Sequence, residues 1–125
     1  MTFLLDTHIL LWTLTAPEAL ASRAREQIED PKNVIFVSSI SIWEIAIKGA
    51  IGKLQVPHNL EKILPLMRFS PLPITWTHAA AVSALPLHHR DPFDRMLVAQ
   101  AQAEGLTLLT HDKQLKAYGT FVHLI

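Results

Sequence analysis

Apolar and polar positions along this chain fall into blocks of changing period, and the blocks predict an ordered series of elements. Phe3-Leu4-Leu5 is continuously apolar, as a strand buried on both faces is, and it stops at Asp6. Ile9 to Leu14 reads as a short helix. Pro17 and Glu18 open a second helix that carries Leu20, Ala24 and Ile28 and stops at the Asp30-Pro31 turn. Val34 to Val37, compact and β-branched, is the second strand. Ser39 and Ser41 precede a longer helix with an apolar face through Ile42, Ile45 and Ala46 towards Ile51, weakened by Gly49 and Gly52. Asn59 is expected to cap a helix reaching about Arg68. Leu72-Pro73-Ile74 reads as short and extended. Thr77 to Ala84 and Pro92 to Glu104 read as helices, the second closed by Gly105. Leu106 to Leu109 is a further strand that ends at Thr110-His111-Asp112, and Phe121-Val122 a last one.

Near-continuously apolar strands alternating with helices predict an α/β fold of three layers, α/β/α, around a central, mostly parallel sheet. The length fits a single domain over residues 1–125. In such sheets ligands sit beyond the carboxyl ends of the strands, and Asp6 and Asp112 both fall there.

Composition changes this picture in three ways. Cysteine is absent, so there is neither a disulfide framework nor a thiolate metal site, which fits a reducing, cytoplasmic setting. Net charge is zero with neutral histidines, so bulk charge does not attract nucleic acid and any such site needs local basic residues or a protein partner. The apolar run Phe3–Leu14 lacks a basic leader and is interrupted by Asp6 and His8, so it is read as part of the fold rather than as a signal peptide. No run approaches the roughly 20 apolar residues of a membrane span.

The carboxylates carry the candidate chemistry, although each has an ordinary alternative. Asp6 suits the cap of the helix from Ile9. Ser41-x-x-Glu44 fits a capping box. Asp91-Pro92-Phe93-Asp94 is a near-ideal helix start, with Asp91 at the N-cap and Asp94 three residues on. Asp112 suits the start of a turn over Lys113 to Ala117. These alternatives leave unexplained why acids recur where the predicted strands feed one sheet edge. Two carboxylates at about 4 Å repel by roughly 4 kcal/mol at an effective dielectric near 20, so their convergence calls for a cation. Oxygen donors without cysteine favour magnesium or manganese over zinc. A cation so held polarises a phosphoryl oxygen and activates water, which points to phosphodiester hydrolysis.

Other chemistries fit less well. His88-His89 with His111 lacks the helical spacing of a hydrolytic zinc site; His89 is read as structuring its loop, and His58, His78 and His123 as surface or core. No Gly-x-Ser-x-Gly elbow surrounds Ser39 or Ser41, and there is no glycine-rich phosphate loop. A haloacid-dehalogenase-like phosphatase needs a second Asp where His8 stands, and a receiver-type module does not accommodate Glu44 in mid-helix.

The ordered set Leu4-Leu5-Asp6-Thr7-His8 with Leu10-Leu11-Trp12, Ser38-x-x-Ser41-x-x-Glu44-Ile45, His89 to Ala101 and Leu109-Thr110-His111-Asp112 resembles the PIN-domain family, and within it the VapC toxins of bacterial toxin–antitoxin pairs. The resemblance spans nearly the whole chain. It implies a Mg2+- or Mn2+-dependent endoribonuclease whose metal-site acids are Asp6, Glu44, Asp94 and Asp112, with Asp91 either an additional acid or the helix cap. Thr7 and Thr110 match small hydroxyl positions that orient a carboxylate or a metal-bound water. Cleavage products with 5′-phosphate and 3′-hydroxyl ends are implied, as is arrest of translation by cutting a structured RNA. An antitoxin resembling VapB is the implied partner, placing a basic or bulky side chain in the active-site groove, and a homodimer is expected through an apolar surface of the early helices. Lys48, Arg90 and Arg95 are the candidates for contacting RNA phosphates; Lys48 stands four residues after Glu44, on the same helix face. Lys53 is as well explained as a solvated charge. Trp12, Trp43 and Trp76 are expected in the core rather than stacked on bases. Two alternatives stay open: a PIN nuclease of RNA processing without an antitoxin, and a non-catalytic α/β binding module.

Overall fold

The computed structural model describes residues 1–125. Five strands, β1 (Thr2–Leu5), β2 (Val34–Ser38), β3 (Ser70–Leu72), β4 (Thr107–Thr110) and β5 (Val122–Leu124), form one sheet in the order β3-β2-β1-β4-β5. Every pairing is parallel. Six helices cover it: α1 (Thr7–Thr15), α2 (Ser22–Glu29), α3 (Ser39–Ala50), α4 (Leu60–Leu66), α5 (Trp76–Ala81) and α6 (Pro92–Glu104).

The central strand explains the three layers. Alternate side chains of a strand point to opposite faces, so the three consecutive apolar residues Phe3 to Leu5 of β1 must feed two cores. Phe3 and Leu5 join one with Ile9, Leu10, Ile35 and Ile45. Leu4 joins the other with Leu97, Val98, Leu108 and Val122. Leu4 pairs with Phe36 on one side and Leu108 on the other, which puts the ends of β1, β2 and β4 at one edge. Asp6 follows β1, α3 follows β2 directly, and Asp112 lies two residues beyond β4.

Several boundaries differ from the pattern-based expectation, each for a local reason. Pro17–Ala19 forms a separate 3-10 turn, and Leu20 then turns extended (φ −85°, ψ 141°), so α2 starts at Ser22. The third strand lies earlier than expected, at Ser70–Leu72, with Pro71 on the sheet's outermost strand, where its missing N–H costs little. The last strand runs later, to Leu124. The α3 cap is Ser38, whose hydroxyl accepts the Ile40 N–H at 3.0 Å. Ser41 therefore lies inside the helix, and the capping-box role considered for Glu44 falls away.

Candidate metal and active site

Asp6 is the N-cap of α1, as its local sequence suggests: Oδ1 accepts the Ile9 N–H at 2.9 Å. The second oxygen accepts from the Thr110 hydroxyl at the end of β4. Burial in this apolar surround pushes the Asp6 carboxyl up from the ordinary range, against the lowering effect of the Thr110 and Ile9 bonds. Glu44 is also buried, on the inner face of α3. Thr7 donates to its Oε1 at 2.6 Å, and the Lys48 ammonium one turn later pairs with Oε2. The bond to Glu44 raises the Lys48 pKa more than burial lowers it.

Asp91, Pro92 and Asp94 build the start of α6 as their spacing predicts. Asp91 Oδ1 accepts from Phe93 N at 2.8 Å and Asp94 N at 3.2 Å, with Pro92 in the first turn. Burial, then the charges of Asp91 and Asp6, raise the Asp94 pKa to about 7, while nearby His89 opposes the shift. Asp112 caps the 3-10 turn Lys113–Tyr118, Oδ1 accepting from Gln114 N at 2.9 Å. Its other oxygen lies 2.7 Å from His89 Nε2, which is 3.5 Å from Asp94 Oδ2. The ligand atoms of His89, Asp94 and Asp112 all lie within 4.8 Å of one another. Asp6 and Glu44 are outside that tightest group, yet both carboxylates act on Asp94 and raise its pKa.

The basic candidates divide. Lys48 is half-buried at the site, with its ammonium 5.6 Å from the centre of the Phe93 ring. Arg90 is exposed, as is Lys53. Arg95 is turned away from the acids: it donates to the carbonyls of Val82, Leu85, Pro86 and His89 and to the Tyr118 hydroxyl. All five partners are protein groups, so Arg95 is a fastener of the loop before α6 rather than a phosphate contact. Trp12 packs against the core, but Trp43 is 58 % exposed and Trp76 95 % exposed, contrary to the expectation for all three. Trp43 lies edge-on to Phe93, with ring centres 5.6 Å apart, beside Glu44 and Asp94 in the chain.

Pattern reading misses two supports of the site. Ser38, which caps α3, donates to Gln100 Oε1 at 2.5 Å, and buried His78 contacts Gln100 and Glu104. This polar link through α6 fixes the helix that carries Glu44 relative to the one that carries Asp94. The second is His89 itself, whose ring stands between two acids. Its place at the head of the segment His89 to Ala101 leads to its reading as a residue that structures the loop; what the pattern does not show is the bond of its ring to Asp112.

A parallel sheet with acids gathered from the ends of its central strands and from the start of α6 defines a PIN domain. The chain matches the PIN domain family over residues 3–120 and belongs to it. It is similar to Ribonuclease VapC22 of Mycobacterium tuberculosis, with 31% identity over 122 residues, 94% of this chain and 92% of that protein. Two solved structures share the fold. VapBC2 from Rickettsia felis, bound to a DNA fragment from its promoter, covers 100% of this chain and 98% of its own at 19% identity and TM-score 0.73. DNA-bound VapBC from Salmonella typhimurium covers 100% and 97% at 20% identity and TM-score 0.72.

Proposed function

We propose that this chain is a divalent-metal-dependent endoribonuclease acting as the toxin of a toxin–antitoxin pair. The observation that carries the reading is the approach of Asp94 and Asp112 within 4.8 Å, with two further buried acids, Asp6 and Glu44, near enough to act on Asp94. An Asp carboxyl raised to about 7 by burial first, and then by the charges of Asp91 and Asp6, marks a site short of positive charge. Oxygen donors of this kind fit a hard cation, Mg2+ or Mn2+, held by Asp6, Glu44, Asp94 and Asp112, with Asp91 serving as the helix cap. When bound, the cation supplies Lewis-acid activation of the phosphodiester and of water.

The chain's own groups do the rest. Thr7 and Thr110 hold the Glu44 and Asp6 carboxylates in fixed orientations. Lys48 balances Glu44 and, with exposed Arg90, would supply the positive charge for a phosphate. The relative VapC22 is named a ribonuclease, and the structural neighbours are VapBC proteins bound to DNA, which together favour a VapB-like partner over RNA processing alone. A basic side chain from such a partner would suit the acidic site. A homodimer is proposed on a different surface from the one expected. Residues 7–29 present no large exposed apolar side chain, whereas Ile47, Ile51, Leu66 and Met67 on and just after α3 and α4 do. No helix is long and apolar enough to cross a membrane.

The test is cleavage of total cellular RNA by purified protein with Mg2+, Mn2+ or EDTA, beside Asp6→Asn and Asp94→Asn. Metal-dependent cutting lost in both folded variants is the expected result. Equal cutting by the variants would defeat the carboxylate mechanism. Absence of any metal binding by the wild type would favour a binding module.

A further inference from the structure

The tightest cluster in the protein contains a histidine, and its hydrogen bonds decide what that histidine does. His89 Nδ1 lies 3.0 Å from the backbone nitrogen of Asp91, whose N–H donates to it. A backbone N–H has no acceptor role, so Nδ1 holds a lone pair and the ring hydrogen sits on Nε2. Nε2 is the nitrogen facing Asp112 Oδ2 at 2.7 Å and Asp94 Oδ2 at 3.5 Å. A metal-ligating nitrogen must be bare. The one His89 turns towards the acids is the one that carries the hydrogen, so the three residues are not a His-Asp-Asp ligand set despite their spacing.

We propose that His89 is a positioning residue that donates to Asp112 from outside the ligand set and fixes the rotation of that carboxylate for the cation. With Gln114 N–H on Oδ1 and His89 on Oδ2, both Asp112 oxygens are anchored. Each oxygen keeps a second lone pair for a ligand.

The elements that carry the acids also hold the imidazole. The His89 N–H donates to the Tyr118 hydroxyl at 3.1 Å, and Tyr118 ends the turn that Asp112 starts. The His89 carbonyl accepts from Arg95, the residue after Asp94, which also donates to Tyr118 at 3.2 Å. The ring is 11% exposed. An outer residue of this type commonly changes metal affinity by about 10–100-fold when removed.

This inference rests on the metal reading of Asp94 and Asp112, and three measurements on the full chain keep the two apart. Long-range 1H–15N NMR in EDTA, with the His89 signals assigned from His89→Gln, should show the Nε2–H tautomer. Pulsed EPR of the Mn2+-loaded protein should show no directly coordinated imidazole nitrogen that disappears in His89→Gln. Mn2+ calorimetry should give about tenfold weaker binding for His89→Ala, with recovery in His89→Gln, whose amide can donate to Asp112. A lost nitrogen coupling in His89→Gln, an Nδ1–H tautomer, or unchanged affinity in His89→Ala would each overturn the inference while leaving the metal site standing. Wild-type protein that binds no Mn2+ or Mg2+ would instead overturn the metal reading, and the inference with it.

Discussion

The hydroxyl of Thr110 joins two acids that lie at opposite ends of the chain: it donates to Asp6 Oδ2 and accepts the backbone N–H of Asp112 at 3.0 Å. The three groups share the edge where β1 and β4 end side by side. Thr110→Val keeps the shape and removes both bonds. A buried polar group stripped of its partner costs about 1–3 kcal/mol, so urea unfolding should show a loss of that size. Because the Thr110 bond lowers the Asp6 pKa, the variant should also bind Mn2+ more weakly near neutral pH. Thr110→Ser should restore most of both; a silent Thr110→Val would mean that this hydroxyl does not support the site.

Asp94 predicts how stability follows pH. Its folded pKa of about 7 stands above the ordinary value of 3.8, so between the two the folded protein holds a proton that the unfolded chain has released. Stability therefore falls as pH rises through that window. The cost at pH 8 is on the order of a few kcal/mol, since each pH unit separating the folded and unfolded values is worth about 1.4 kcal/mol. Asp94→Asn should raise the metal-free melting temperature at pH 8 and leave it nearly unchanged at pH 4. By the same sign, added Mn2+ should stabilise the wild type more at pH 8 than at pH 5.5, where a proton competes for the carboxylate. Thermal melts at the three pH values check both statements.

Asp91 separates a capping role from an electrostatic one. Asp91→Asn keeps a side-chain acceptor for Phe93 and Asp94 while removing a charge that raises the Asp94 pKa. Its stability should stay close to wild type, and Asp94, followed by NMR titration, should titrate at lower pH. Asp91→Ala loses the cap and should cost about 1 kcal/mol in denaturant melts. A large loss of Mn2+ affinity in Asp91→Asn would instead make Asp91 a ligand.

Arg95 should behave as a structural residue. Arg95→Ala removes donors to four carbonyls and to Tyr118 and should destabilise by about 2–3 kcal/mol, as for bonds to a charged donor. Trypsin should then cut faster after Arg90, in the loop that Arg95 fastens. A variant with unchanged stability and weaker RNA binding would return Arg95 to the phosphate contacts.

What is legible in the sequence follows from periodicity and caps. The unbroken apolar run of β1 announces a strand with a core on each face, and the Asp91-Pro92-Phe93-Asp94 spacing announces the start of α6, because both signals are local. Asp6, Glu44, Asp94 and Asp112 stand out one by one in the chain, and the structure brings ligand atoms of Asp94 and Asp112 within 4.8 Å of each other, with Asp6 and Glu44 near enough to act on Asp94. What stays hidden depends on direction in space. Arg95 adjoins Asp94 in the chain, but one helical step of about 100° turns it onto a different face, towards the loop of residues 82–90. Trp43 lies among apolar residues yet is exposed, because Glu44 and Ile45 take the inward positions of α3. The His89 hydrogen bonds depend on the path of an irregular loop, which has no period to read.

The strand order has a consequence for when this activity can begin. The centre of the sheet pairs two strands far apart in sequence: β1 is complete at Leu5, and its neighbour β4 only at Thr110. At roughly 5–20 residues per second, Asp6 leaves the synthesis centre on the order of ten seconds before Asp112. Until β4 arrives, Asp6 lacks its Thr110 donor and Asp94 has no Asp112 beside it. A half-made chain therefore lacks the complete set of proposed ligands, and a protein whose proposed task is to cut RNA has its site assembled only after translation has passed the last acid.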